Sequence, residues 1–257
     1  MLNENFHKVF PRKAVIGMIH LAGENPVKQA LEEIALFEET GVTAAIVENY
    51  HGTVDDVKET LERIAKKGTP LVIGINILDG RWVEDGFEEA FILAYQYGAR
   101  FIQIDRIAGK YLSPDRGLNV PRYNACKKAF PEIVVLGGVW PKYYHPIDTS
   151  EQSLGAAIKE GMQRAEAIVV TGEGTGKRTP LEKIAKFREL TGQDHPLIVG
   201  AGSTPETVKE EMQYANGVII GSFFKEDFPY GFPKTMNSLS RGKIIVYVQA
   251  FNEATNS

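Results

Sequence analysis

Short apolar, β-branched runs recur along the chain: AVIGMIH (14–20), TAAIVEN (43–49), PLVIGIN (70–76), RFIQIDR (100–106), EIVVLGGV (132–139), EAIVVTG (166–172), PLIVGAG (196–202) and GVIIGS (217–222). They are spaced by roughly 30 residues, the size of one βαβ step. Amphipathic stretches such as VKQALEEIALFEET and VDDVKETLERIAKK lie between most of them. Strands alternating with helices imply a parallel sheet covered on both faces. No Ser/Gly-rich linker or change of composition divides the chain, so the pattern reads as one α/β domain over residues 1–257.

A finer pattern distinguishes a closed barrel from an open sheet. The odd runs share a core that ends in glycine: Val15-Ile16-Gly17, Val72-Ile73-Gly74, Val135-Leu136-Gly137 and Ile198-Val199-Gly200. The last three follow closely on Pro70, Pro131 and Pro196. The even runs share another frame: Ala45-Ile46-Val47-Glu48, Ile102-Gln103-Ile104-Asp105, Ile168-Val169-Val170-Thr171 and Val218-Ile219-Ile220-Gly221. Odd and even strands fill alternate interior layers of a (β/α)8 TIM barrel, and glycine in one set would leave room for bulk from the other. Chance recurrence among Val/Ile-rich strands is the competing explanation. The barrel predicts a functional face at the C-terminal strand ends.

Composition narrows the classes. The chain has 257 residues, 43% of them hydrophobic, enough for one large core. Its net charge of −4, with Arg and Lys scattered over predicted helices, offers no basic footprint for nucleic acid. The single Cys126 rules out an intrachain disulfide and reads as a small packing residue on a helix. The opening MLNENFHKVFPRK lacks the apolar core of a signal peptide, and no run approaches the ~18 apolar residues of a membrane span. A cytoplasmic protein is expected.

Gln103 and Asp105 lie two apart and share a strand face. A helix-covered outer face would not readily hold both, which places them inside the barrel. Glu48, Thr171 and Gly221 occupy the matching even-strand positions. Glu48 and Asp105 then form a carboxylate pair, suited to acid and base roles or to a hard divalent cation. The structural alternative is that each pairs with an arginine, Arg81 or Arg106, or caps a loop. His20 ends the first strand and Asn76 the third, as ligand donors, with His20 favoured for acid/base work. Counted from Gly17 and Gly74, the two fall on opposite parities, so only one is expected to point inward unless a strand is bulged. Schiff-base chemistry finds no lysine on an interior strand frame. An amidohydrolase-type metal site finds no His-x-His pair.

Loops add further candidates. Val139-Trp140-Pro141-Lys142-Tyr143-Tyr144-His145-Pro146 follows the fifth strand. It suits a stacking wall headed by Trp140, a lid hinge or a subunit contact. Trp82 carries the same ambiguity. Thr171-Gly172-Glu173-Gly174-Thr175-Gly176-Lys177-Arg178 fails the P-loop spacing, because Thr171 and Arg178 stand where glycine and Ser/Thr are needed. It reads as a ligand-closing loop before a helix start at Thr179-Pro180. A phosphate cradle is expected after the seventh and eighth strands, from Gly202, Ser203, Gly221 and Ser222 with Lys225 adding charge; an ordinary helix start is the alternative reading of the segment from Ser203 to Glu206. The apolar stretch Lys243–Phe251 is expected to cover the outer wall or to join a homo-oligomer.

Taken together, IGMIHLAG, AAIVENY, GINIL, DRGL (115–118), IVVTGEGTG, VGAGSTPETV and GVIIGSFFK resemble the BtpA/SgcQ family of barrel proteins, from about Val15 to Lys225. The resemblance implies a barrel of the ribulose-phosphate-binding type. It marks His20, Glu48, Asn49, Asn76, Asp115, Gly117, Thr171, Gly172, Thr175 and Gly176. Two stretches depart from the family pattern. Gln103-Ile104-Asp105 stands where the family tends to have Arg-Val-Asn, and Trp140-Pro141-Lys142-Tyr143-Tyr144-His145 where it tends to have Val-Lys-His. Two functions follow as expectations. One is an isomerase- or lyase-like enzyme acting on a phosphorylated metabolite, a sugar phosphate or nucleotide-like compound, without an obligate cofactor. The other is a non-enzymatic assembly or regulatory factor, since one branch of the family is linked to photosystem I.

Overall fold

The computed structural model describes residues 2–78, 86–112, 117–227 and 233–256. Trp82, Arg81 and Asp115 lie outside the described residues. After helix α1 (Leu2–Val9) the chain alternates strand and helix. The strands are β1 (Ala14–Ile19), β2 (Ala44–Glu48), β3 (Val72–Asn76), β4 (Phe101–Ala108), β5 (Val134–Val139), β6 (Ala167–Val170), β7 (Leu197–Val199) and β8 (Gly217–Ile220). The helices between them are α2 (Pro26–Thr40), α3 (Val54–Lys67), α4 (Gly86–Tyr97), α5 (Val120–Ala129), α6 (Glu151–Met162), α7 (Leu181–Thr191) and α8 (Val208–Glu211). Helix α9 (Arg241–Thr255) follows β8. All eight strands run parallel and close on themselves in chain order, β1 pairing with β8, which is the TIM barrel.

Local chemistry sets the helix starts. Asn25 accepts the Lys28 N–H at the head of α2, and Thr53 with Asp56 forms a reciprocal capping box on α3. Two apolar cores result. The outer one lies between strands and helices. The inner one fills the barrel with Ile16, Ile46, Leu136, Val169, Ile198 and Ile219 among others.

The barrel closes as expected, but its four strand glycines do not share one interior layer. Met18 pairs with Ile46 and Ile46 with Gly74, so these three face the same side. A Cβ at Gly74 would lie 2.3 Å from the interior ring of Phe101, whereas one at Gly17 would lie 2.4 Å from Phe37 on α2. Gly74 therefore faces inward and Gly17 outward. Gly200 follows Gly74, meeting Val169, and Gly137 follows Gly17, meeting Ile107 and Ala165. The four glycines relieve two different surfaces instead of one interior layer. His20 and Asn76 consequently point to the same side with no bulge in β1 or β3. Among these pairings the register shifts on β4, between Ile104 and Ala108, and a Cβ at Gly138 would stand 2.1 Å from the Asp105 carbonyl.

Helix α1 was not expected from the sequence. Phe6, Val9 and Phe10 belong to the inner core, and the Phe10 ring meets Phe101 at 5.2 Å. The helix plugs the N-terminal mouth of the barrel, leaving the other mouth to hold the site. Helix α9 lies on the outer wall, burying Ile244, Tyr247, Val248 and Phe251, while Ile245 and Val246 stay exposed. Among the described residues no helix is long and apolar enough to cross a membrane.

Candidate functional site

The C-terminal mouth opens into a cavity of about 580 Å³ lined by residues from β1, β2, β4 and the loops after β5 to β8. Its floor is polar because the even-strand frame points inward here. Glu48 ends β2 and Asp105 sits beside the β4 irregularity. Asn76, at the end of β3, donates from Nδ2 to Glu48 Oε1 at 2.7 Å and to Asp105 Oδ1 at 3.5 Å. Gln103 Nε2 donates to the same Asp105 oxygen at 2.9 Å. His20 also faces the cavity, its ring edge-on to Tyr50 at 5.4 Å. Gly221 makes room for that imidazole: a Cβ there would lie 2.9 Å from His20 Cε1.

Burial, reinforced by the charge of Asp105, raises the Glu48 carboxyl to about 7; Lys142 and the Asn76 hydrogen bond pull the other way. Burial first, then Lys225, Lys142 and His51, holds the His20 imidazole well below its ordinary range. His20 is therefore neutral near pH 7, and its Nδ1 is buried without a partner among the described residues. The floor thus contains a carboxyl poised to take or give a proton beside a neutral imidazole. A hydrogen-bond donor, Asn76 Nδ2, already joins Glu48 and Asp105. Among the described residues no group of three or more His, Cys, Asp or Glu gathers that could hold a metal ion.

Two loops lock together over this floor. Lys142 N–H donates to Thr171 Oγ1 at 2.9 Å, and Lys183 Nζ donates to the Thr171 carbonyl at 2.7 Å. Tyr143 hydroxyl donates to Thr175 Oγ1 at 3.1 Å and accepts the Thr175 N–H at 2.9 Å. Trp140 (φ 49°) and Tyr143 (φ 68°), on either side of Lys142, both adopt the left-handed conformation, as does Leu21 (φ 52°) after His20. Each such residue stores ~1–3 kcal/mol, a cost that clusters at ligand sites.

The glycine-rich end has a different construction from that expected. Gly202 (φ 68°) packs against the Lys177-Arg178 backbone, where a Cβ would lie 2.2 Å from the Lys177 carbonyl oxygen. Gly176 (φ 74°) faces Ser222, and Gly172 packs on the carbonyls of Lys177 and Arg178. The backbone amides of Gly202 and Ser203 have no acceptor among the described residues, and both residues line the cavity. The Ser203 hydroxyl is not available: it is buried against Glu211 and lies 2.6 Å from the Tyr247 hydroxyl. Lys225 is not available either. Its Nζ is fully buried 2.6 Å from Glu33 Oε1 on α2.

Of the expected ligand residues, Glu48, Asp105, His20, Thr171, Thr175, Gly202, Ser203, Gly221 and Ser222 line the cavity. Trp140 does not; it packs on the outer core while its backbone N–H donates to the Tyr111 hydroxyl. The aromatics that line the cavity are Tyr50, Tyr143, Tyr144 and Phe223. Asn49 also lies off the cavity and accepts the Leu78 N–H at 2.7 Å, tying the ends of β2 and β3. Asn76 sits beneath the main cavity. Lys142 and Lys177 were missed as site residues, because loop residues carry no periodicity that reveals their direction. Both line the cavity without an ion pair among the described residues, whereas Lys234 is held by Asp227 at 2.6 Å.

The sequence profile of the BtpA family matches residues 11–236. An uncharacterized protein of Methanocaldococcus jannaschii is 30% identical, over 85% of this chain and 89% of its own. A Synechocystis protein named Photosystem I biogenesis protein BtpA is 26% identical, over 82% of this chain and 80% of its own. Among solved structures, N-(5'-phosphoribosyl)anthranilate isomerase from Pyrococcus furiosus superposes with a TM-score of 0.60 at 15% identity, covering 94% of this chain and 100% of that one. That likeness is one of fold.

Proposed function

From the premise that the chain belongs to the BtpA family, we propose that it is an enzyme performing acid/base chemistry on a phosphorylated small molecule. The observation that carries this reading is the Glu48 carboxyl, buried beside Asp105 and raised to about 7 inside an open cavity. A carboxyl in that range exchanges protons readily at neutral pH. Asp105, tied to Gln103 and Asn76, supplies the charge that holds Glu48 up. Neutral His20 serves as hydrogen-bond partner to the reacting oxygen. Isomerisation or bond cleavage are the reaction classes that need no more than this.

The phosphate end rests on the free amides of Gly202 and Ser203, on the Ser222 hydroxyl and on Lys177. Lys177 takes the role expected of Lys225. A barrel of this fold that acts on a phosphoribosyl compound, by its name, is consistent with such a ligand. A divalent cation at Glu48 and Asp105 is the variant of this reading that a metal dependence would reveal.

The test is to incubate purified protein with a panel of sugar phosphates and nucleotides, with Mg²⁺ or with EDTA, and follow conversion by mass spectrometry. Conversion by the wild type and not by Glu48→Gln is expected. No conversion, together with a stable protein partner on purification, would replace the enzyme by an assembly factor. The Synechocystis relative's name motivates that second reading.

A further inference from the structure

Lys142 and Lys177 line one cavity, and the contacts of their loops assign them to different ends. The Lys177 carbonyl packs on Gly202, and neighbouring Gly176 meets Ser222, so the Lys177 backbone belongs with the glycine-rich cradle, while its side chain passes Gly174 near the Tyr143 hydroxyl. Lys142 lines the cavity together with Glu48 and His20, and its backbone N–H is fixed on Thr171 directly after β6, which sets it toward the proton-transfer end; its charge acts on both Glu48 and His20. The chain holds Lys142 there by the hydrogen bond to Thr171 and by left-handed residues on both sides. Lys142 makes no ion pair with Glu48 or Asp105, and among the described residues its ammonium has no hydrogen-bond acceptor.

We propose that Lys142 binds the substrate oxygen on which negative charge sits or develops, and that the ligand is a small organic phosphate also bearing a carbonyl or carboxylate. The second half of the proposal rests on the phosphorylated-ligand reading above. For a carbonyl compound the step balances without any co-reactant. Glu48 carboxylate takes the proton from the carbon beside the carbonyl, and the C–H pair becomes the new C=C bond. The carbonyl π pair moves onto oxygen, giving an enolate opposite the Lys142 ammonium. Where the α-carbon carries a hydroxyl, that hydroxyl proton passes to the enolate oxygen; Glu48 then returns its proton to the former carbonyl carbon, the C=C pair forming the new C–H bond while the α-oxygen pair closes the new C=O, which completes an isomerisation. A fixed cation at the developing oxyanion lowers that barrier because it need not reorganise.

Calorimetric titration with three probes tests this: phosphoglycolate, which carries phosphate and carboxylate; ethyl phosphate, which carries phosphate alone; and glycolate, which carries carboxylate alone. Wild type is expected to bind phosphoglycolate about tenfold more tightly than ethyl phosphate, the scale of one charge-assisted hydrogen bond. Lys142→Met should erase that preference, weakening ethyl phosphate much less than phosphoglycolate. Lys142→Arg should keep part of it. Lys142→Gln gives the same measurement should the methionine variant fail to fold. A preference that survives in Lys142→Met overturns the proposal. Binding of ethyl phosphate with no preference for phosphoglycolate overturns it as well, while the phosphate reading stands. Lys142-dependent binding of glycolate without binding of ethyl phosphate supports Lys142 and removes the phosphate end. No binding of any probe overturns both.

Discussion

Asn76 hydrogen-bonds Glu48 at 2.7 Å and reaches Asp105 at 3.5 Å, so one buried amide joins two carboxyl groups from neighbouring strands. Burial, with the charge of neighbouring Asp105, disfavours the charged form of Glu48, which keeps its proton up to about pH 7.

This proton links stability to pH. The Glu48 carboxyl lies at about 7 in the folded chain against 4.5 for the free side chain. Between those values the folded state binds the extra proton, so stability falls as pH rises from about 4.5 through about 7. The penalty above pH 7 is at most on the order of 3 kcal/mol. Glu48→Gln should remove this dependence, melting higher than wild type at pH 8 and nearly alike at pH 4.5, while losing turnover. Thermal melts of both proteins across that range measure it, and equal pH dependence in both would refute the assignment.

Gly221→Ala should drive His20 from its place, since the new Cβ would stand 2.9 Å from Cε1 and 3.2 Å from Nε2. Overpacking of this kind costs about 1–3 kcal/mol. Turnover is expected to fall further than stability, because the displaced ring faces the cavity. Denaturant melts and the activity assay together separate the two effects.

Lys225→Met should leave the buried Glu33 carboxyl without its ion-pair partner, with Gln29 as its remaining side-chain hydrogen bond among the described residues. Breaking a buried pair by removing one partner costs about 3–5 kcal/mol. Adding Glu33→Leu should restore most of that loss. Urea melts of the single and double variants test it; a single variant as stable as wild type would show the pair contributes nothing.

Tyr143→Phe removes the hydroxyl that bonds both Thr175 N–H and Thr175 Oγ1. Each bond is worth about 1 kcal/mol at an exposed site. The loop after β6 should loosen, raising KM several-fold with little change in kcat, and the melting temperature should fall by a few degrees. Steady-state kinetics on the converted substrate check this, and an unchanged KM would dissociate the loop pair from ligand closure.

The sequence alone determined the alternation of eight strands with helices and the inward face of the even strands. In β4 the polar pair Gln103 and Asp105 does not readily fit a helix-covered face, and it lies inside together with the matching Glu48 and Thr171. Period-two alternation is a local property, so it survives in the chain without tertiary contacts. The odd strands were not decided this way. Gly17 and Gly74 occupy the same place in a shared motif yet face opposite sides, because strand register, set by pairing with β2, fixes which side each residue takes. That register put His20 and Asn76 together, against the parity count from glycine. Tertiary structure also decided the loop residues. Trp140 turned to the core and Lys142 to the cavity through left-handed backbone, while Ser203 and Lys225 gave their polar groups to Glu211, Tyr247 and Glu33. A buried hydroxyl or ammonium takes the nearest acceptor that folding brings to it, here helix residues 8, 44 and 192 positions away.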